Sequence, residues 1–161
     1  MKKIYLDMDG VLCNFERRYF ERYNELPGSM RDRKDFSVHW DDFVQTKQFE
    51  TLDWWPESDV LLNYLQRLEN VEIEILSSSG GKKYHNEVTE QKIRWLCEKG
   101  ISYKANIVAG RKAKAEYATP DTILIDDTYD VIQGFIAAGG IGIHHKEIGN
   151  TLLMLEKVLA K

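Results

Sequence analysis

Two acidic pairs stand directly behind short apolar runs: Asp7 and Asp9 in Asp7-Met8-Asp9-Gly10 after Ile4-Tyr5-Leu6, and Asp126-Asp127 after Ile123-Leu124-Ile125. Side chains of an extended chain alternate with period two, so Asp7 and Asp9 can project from one strand end into a common crevice. Carboxylates that close resist joint ionisation, and a divalent cation between them, or a proton shared with a substrate, relieves the repulsion. Such a pair suits a Mg²⁺ site, or a nucleophile with an acid/base partner. If the sheet is parallel, both pairs meet at the same edge, and four carboxylates gathered there are far more specific than either pair alone. Each pair also has a purely structural use, since an acidic residue behind a strand can cap the next helix, as Asp127 or Thr128 is placed to do.

Anion-binding groups lie in the same segments. Gly10 lets the backbone turn sharply and expose its N–H groups. Leu76-Ser77-Ser78-Ser79-Gly80-Gly81 puts hydroxyls and free N–H groups behind another apolar run, a cradle for phosphate, although Ser/Gly turns are common in any loop. Lys112 and Lys114 lie at the start of an expected helix, where one of them can neutralise a phosphate and a nucleophile while the other is solvated. His39, His85, His144 and His145 lack helical ligand spacing, and His144-His145 reads as a surface or strand-end pair. Gly139-Gly140-Ile141-Gly142 lacks the strand-before, helix-after context of a dinucleotide loop and reads as a tight turn.

The elements that must position these groups alternate. Ile4 to Leu6, Val71 to Leu76, Ile107 to Ala109, Ile123 to Ile125 and Ile141 to Ile143 read as buried strands. Val60, Leu61, Tyr64, Leu65 and Leu68 share one helical face, Val131, Ile132, Phe135 and Ile136 another, and Leu152, Leu155, Val158 and Leu159 a third. Gly100 and Gly139 close helical patterns over 86–99 and 129–138, and Asn150 or Thr151 can cap the last helix. The alternation predicts an α/β fold: a three-layer, doubly wound, mostly parallel sheet of Rossmann-like form, with its crevice at the carboxyl ends of the strands. Residues 14–55 break the rhythm and concentrate aromatics (Phe15, Tyr19, Phe20, Tyr23, Phe36, Trp40, Phe43, Phe49, Trp54 and Trp55). They read as a small helical cap inserted after the first strand, dividing a core of 1–13 and 56–161. Arg17, Arg18 and Arg22 fall on its amphipathic first helix, as solvated side chains.

Composition narrows the function classes. The chain has 161 residues, 43% hydrophobic and 30% charged, enough for one real core under an ordinary polar surface. Its 22 basic and 26 acidic residues leave a net charge of −4, which argues against coating nucleic acid. Cys13 and Cys97 are too few and too far apart for a disulfide framework or a zinc knuckle and are expected to be reduced. The apolar run behind Lys2-Lys3 ends at Asp7, too short for a signal core or membrane span, so the default expectation is a cytoplasmic protein with no membrane partner.

Asp-Met-Asp-Gly-Val at 7–11, Ser77 behind its strand, Lys114 ahead of a helix and Leu-Ile-Asp-Asp at 124–127 together resemble the four ordered motifs of the haloacid dehalogenase superfamily of aspartate-nucleophile phosphatases. Within it, Asp-Met-Asp-Gly-Val-Leu-Cys-Asn-Phe-Glu at 7–16, Leu-Ile-Asp-Asp and the short aromatic insertion resemble the 5′(3′)-deoxyribonucleotidase family. Ser77 stands where that family often has Thr, a mild chemical change. The resemblance implies a Mg²⁺-dependent phosphomonoesterase. Asp7 would be the nucleophile that forms an aspartyl-phosphate, and Asp9 the acid and then the base. Mg²⁺ would be held by Asp7, the Asp9 carbonyl and Asp126. Ser77, the N–H of Ser78, Gly10 and Lys114 would bind phosphate, and Asp127 would stand behind the ion or orient Lys114.

The substrate this implies is a (deoxy)nucleoside monophosphate, with no stable nucleic-acid complex. Trp40, Phe43, Phe49, Trp54 and Trp55 could stack on its base, or form the cap's own core. A sugar phosphate or a phosphorylated nucleic-acid end is the alternative within the class. From a different class, a phospho-receiver signalling domain uses a similar acidic cluster with a hydroxyl and a lysine, but such domains place the acceptor Asp after a middle strand. Here the third strand runs into Ala109-Gly110.

Overall fold

A computed structural model describes residues 1–161. Its strands β1 (Lys2–Leu6), β2 (Val71–Ser78), β3 (Lys104–Val108), β4 (Thr122–Asp126) and β5 (Ile141–His144) form one sheet in the order β3-β2-β1-β4-β5. Every pairing is parallel, so the sheet is wholly rather than mostly so. The chain builds outward from β1 to one edge and then restarts on β1's other side. The carboxyl ends of β1 and β4 therefore flank the switch point where such sheets open a crevice. Leu6 pairs with Ile125 and the Asp7 N–H donates to Ile125 O at 3.0 Å, which sets both acidic pairs on that edge.

Period-two alternation assigns the faces. Ile4, Leu6, Ile123 and Ile125 point to one side, into a core filled from α3 (Ser58–Gln66), α4 (His85–Glu98) and α6 (Ile148–Leu159). Tyr5, Leu76 and Leu124 point to the other, where α5 (Tyr129–Ala137) covers them with Val131, Ile132 and Phe135. No helix is long and apolar enough to cross a membrane.

Three local expectations need correction. Lys114 lies on a 3-10 helix, Arg111–Tyr117, and not at the head of an α-helix. Residues 109–121 must carry the chain from β3 past β2 and β1 to β4, a lateral distance of about three 4.8 Å strand spacings, which leaves little length for a longer helix. The last helix starts at Ile148, with Glu147 rather than Asn150 or Thr151 at its N-cap. Thr151 instead turns inward, its Oγ1 2.7 Å from His145 Nδ1, and so His145 is a buried, hydrogen-bonded residue and not a surface one.

Between β1 and α3 the chain forms α1 (Phe15–Tyr23), α2 (Asp32–Gln45) and the 3-10 turn Gln48–Thr51. Asn14 caps α1, its Oδ1 accepting from Arg17 N. Tyr19 OH and His39 Nδ1 each lie 2.7 Å from the buried Asp32 Oδ1, joining α1 to α2. The two ends of the insertion are tied together, Asn14 N donating to Asp53 O and Trp55 N to Leu12 O, both at 2.8 Å. Tyr19, Phe43, Phe49 and Leu52 pack in the same cluster as Ile4, Leu6 and Trp95, so the hydrophobic core runs from sheet to cap without a break. Two polar side chains of α4 hold the cap down: Gln91 Nε2 donates to Val44 O at 2.8 Å and Trp95 Nε1 to Leu52 O at 2.7 Å. Both cysteines are free, Cys13 buried and Cys97 exposed.

Candidate active site

A cavity of about 580 Å³ opens over the carboxyl ends of β1 and β4 and under the cap. Its floor is polar, with Asp7, Asp9, Ser78, Lys114 and Asp127, and its cap side is aromatic, with Phe15, Trp40, Phe49 and Trp55. Asp7, Asp126 and Asp127 each bring a carboxylate oxygen within 4.8 Å of the others. Lys114 Nζ sits among them, 3.0 Å from Asp7 Oδ1 and 2.7 Å from Asp126 Oδ2, and is itself buried. Lys112 is exposed and stands outside this cavity, so of the two lysines it is Lys114 that reaches the acidic cluster.

Asp9 departs from the expected gathering of four carboxylates. Its Oδ2 is 3.0 Å from Lys92 Nζ and its Oδ1 accepts from the Cys13 thiol at 3.2 Å, so the carboxylate is drawn away from the other three. Asp127 does not orient Lys114 by contact; both of that lysine's carboxylate partners are Asp7 and Asp126, while Asp127 Oδ1 accepts from Thr128 Oγ1. Gly10 serves this corner twice. Its φ is +82°, and a Cβ there would lie 2.0 Å from Asp127 Oδ2, so a larger residue would displace a carboxylate of the cluster.

The serine loop divides its duties. Ser77 is fully buried, its Oγ accepting from Lys92 at 2.7 Å, and it does not border the cavity. Ser78 does, with its Oγ accepting from Gly80 N at 3.1 Å. Ser79 is turned inward, 2.7 Å from His85 Nδ1, and anchors the loop. Gly80 accommodates the cap, since a Cβ on it would lie 2.6 Å from Trp40 Cζ2.

Of the aromatics, Trp40, Phe49 and Trp55 border the cavity. Phe43 does not: it is 0% exposed, packed edge-on against Phe15 at 5.0 Å, and is a core residue of the cap instead of a base platform. Trp54 turns away to meet Trp95 at 5.2 Å. Phe15, stacked on Phe49 at 5.6 Å, is a lining residue that the aromatic count alone did not separate from its neighbours. Arg17, Arg18 and Arg22 point elsewhere, Arg18 bonding Thr51 and Arg22 pairing with Asp42. Lys92 lies outside the sequence motifs, and its signal in the sequence is its place on the inner face of α4 with Val88, Gln91 and Trp95, where a lysine demands partners.

Electrostatics follow from crowding. Burial, and next the charge of Asp126, pushes the Asp7 carboxyl well above the usual range, with Lys114 opposing. Burial pulls the Lys114 ammonium down, but Asp7 and Asp126 outweigh it and raise it above an ordinary lysine. The Asp127 carboxyl, open to solvent yet set in a concave wall of protein, is pushed up to about 6, first by desolvation and then by Asp126 and Asp9. Three carboxylates facing one lysine make an oxygen-rich, electron-rich pocket of the kind a hard divalent cation fits.

The profile of the 5′ nucleotidase, deoxy (pyrimidine), cytosolic type C protein family matches residues 1–146. Among curated proteins none matches the sequence. The fold is similar to that of a haloacid dehalogenase superfamily hydrolase from Ehrlichia chaffeensis (TM-score 0.59, 14% identity, covering 99% of this chain and 98% of that one). It is similar to a hydrolase from Streptococcus pneumoniae TIGR4 (TM-score 0.57, 14% identity, 97% and 100%). A third similar structure is a haloacid dehalogenase family enzyme from Bacteroides thetaiotaomicron, an Asp-to-Ala mutant in complex with magnesium and inorganic phosphate (TM-score 0.52, 15% identity, 91% and 94%).

Proposed function

We propose that this chain, which belongs to the 5′ nucleotidase, deoxy (pyrimidine), cytosolic type C family, is a Mg²⁺-dependent phosphomonoesterase that dephosphorylates (deoxy)nucleoside monophosphates through an aspartyl-phosphate. Membership makes it an enzyme of the nucleotidase kind; the intermediate, the residue roles and the nucleotide preference are inferred from the cavity. The observation that carries the reading is Asp7 itself: a buried carboxylate that borders a cavity, braced by a buried lysine and overhung by aromatic rings.

In the first half-reaction an Asp7 carboxylate oxygen bonds to phosphorus as the ester P–O bond breaks, and Asp9 gives a proton to the leaving alkoxide. In the second, Asp9 takes a proton from a water whose oxygen bonds to phosphorus, the Asp7–phosphorus bond breaks, and inorganic phosphate leaves. The sum is ester plus water to alcohol plus phosphate. Lys114 holds Asp7 in place and offsets charge on the phosphoryl oxygens, and the Ser78 hydroxyl on the cavity wall is available to donate to one of them. Asp7, Asp126 and Asp127 would hold Mg²⁺, which when bound spreads the negative charge of the transferring phosphoryl group. Trp40, Trp55 and Phe15 give a base an apolar, stackable surface at the far side of the cavity, backed by Phe49, which is 2% exposed and stacked on Phe15.

The test is phosphate release with Mg²⁺ over nucleoside and deoxynucleoside monophosphates, sugar phosphates and 5′-phosphorylated oligonucleotides. Mononucleotides should turn over fastest. A sugar phosphate at the head of the order would replace the nucleotide assignment, and release from none of them would remove the activity.

A further inference from the structure

Behind the wall of the cavity lies a second buried lysine. Lys92, in the middle of α4, is 1% exposed. Its Nζ donates to Asp9 Oδ2 at 3.0 Å, to Ser77 Oγ at 2.7 Å and to Ser78 O at 2.8 Å. An ammonium has three N–H donors, and these acceptors use all of them. Lys92 also does not border the cavity, so it has no donor and no path by which to meet a phosphate. A buried ammonium is weak evidence for stability, because an apolar side chain of similar volume is often as good or better at such a position.

What Lys92 does secure is the place of Asp9. The lysine on Oδ2 and the Cys13 thiol on Oδ1 keep this carboxylate apart from Asp7, Asp126 and Asp127, two residues along the same strand end from the first of them. Oδ2 is occupied by a full positive charge, whereas Oδ1 meets only the weak thiol donor of Cys13 and is the oxygen with acceptor capacity left for a proton. Released from Lys92, Asp9 would be drawn as a fourth oxygen donor toward any cation in the cluster, and a carboxylate bound to a cation is a poor proton donor. The same ammonium lies 5.2 Å from the centre of the Phe49 ring, so the anchor also touches the cap.

We propose that Lys92 is a positioning residue for phosphoryl transfer, holding Asp9 as the proton-exchanging carboxylate and keeping it from becoming a metal ligand. This rests on the phosphatase reading above. It is tested with Lys92→Met, alone and combined with Asp9→Asn, on an alkyl phosphate and on p-nitrophenyl phosphate with Mg²⁺. A residue that supports an active-site group from behind is worth roughly 10- to 100-fold. That loss should fall on kcat for the alkyl ester, whose leaving group needs a proton, with KM changed by less than about threefold. It should shrink for p-nitrophenyl phosphate and vanish in the Asp9→Asn background, because the two substitutions then remove one interaction. In the same variant the Mg²⁺ concentration giving half the maximal rise in Tm should fall, since Asp9 becomes free to join the ion.

Equal losses with and without the Asp9 carboxyl, or an unmoved Mg²⁺ midpoint, would overturn the role of Lys92 while leaving an active wild type. A wild type that releases no phosphate from either ester would overturn the phosphatase reading and this inference with it. If Lys92→Met gives no cooperative melting transition, Lys92→Arg enters the same two backgrounds under the same criteria. Its planar fork keeps the charge but cannot present three converging donors from the lysine's position.

Discussion

Lys114 and Asp7, 107 positions apart in sequence, meet at 3.0 Å on the carboxyl edge of the sheet, both buried. The contact joins the first strand to a 3-10 helix that reaches back across the sheet, and Asp126 shares the same ammonium at 2.7 Å. One cation thus braces the carboxylates of two neighbouring strands, and stability and chemistry meet at a single group.

Asp7→Asn keeps the side-chain volume and one oxygen acceptor for Lys114, while taking a charge out of a site where burial and Asp126 already penalise it. Without Mg²⁺ the variant should melt at or above the wild-type temperature, and it should release no phosphate. Retained turnover on any good substrate would rule out Asp7 as the nucleophile.

Lys114→Met should have the opposite effect on stability. It strands Asp7 and Asp126 without their shared partner, and breaking a buried pair in this way costs about 3–5 kcal/mol. Urea unfolding in the presence of a chelator measures it. Mg²⁺ should recover more stability in this variant than in wild type, because the ion then supplies the only positive charge between the two carboxylates.

The Asp127 carboxyl, pushed up to about 6 against an ordinary 3.8, ties stability to pH. Its folded-state affinity for a proton exceeds that of the unfolded chain, so the folded state holds the extra proton between about pH 4 and 6 and its stability advantage is lost as the pH rises through that window. Asp127→Asn lacks this loss. In chelator its Tm should therefore rise relative to wild type from pH 4 to pH 7, and a difference that stays flat would assign the shift elsewhere. Mg²⁺ competes with the same proton, so its stabilisation of wild type should be larger at pH 7 than at pH 5.

Much of the architecture is legible in residue order, and the site only in part. Ile4 and Leu6 against Tyr5 already state two buried faces, and apolar runs ending in Asp place two acidic pairs at strand ends, because both signals are local. Lys112 and Lys114 cannot be told apart locally, since which of them turns inward depends on how residues 109–121 cross the sheet. The detachment of Asp9 from the other carboxylates depends on Lys92, 83 positions away. The burial of His145 depends on Thr151 from another element. Phe43 and Trp40 are alike in composition, and only the packing of α2 sends one into the cap's core and the other over Gly80.

That last division yields the test of nucleotide recognition. A base stacked on an aromatic side chain contributes about 1–3 kcal/mol, so removing a platform should lower kcat/KM for a nucleotide by roughly 5- to 150-fold and spare p-nitrophenyl phosphate, which has no base. Trp40→Leu and Trp55→Leu change rings that border the cavity, whereas Phe43→Leu changes one that does not. The first two should lose nucleotide turnover selectively, and Phe43→Leu should lower Tm through the void it leaves and affect both substrates alike. Deoxynucleotide and p-nitrophenyl phosphate kinetics, measured beside the melting temperature of each variant, separate the outcomes. If Trp40→Leu and Trp55→Leu lose both activities in equal proportion, the cavity rings are packing for the cap, and the base must be sought on another wall.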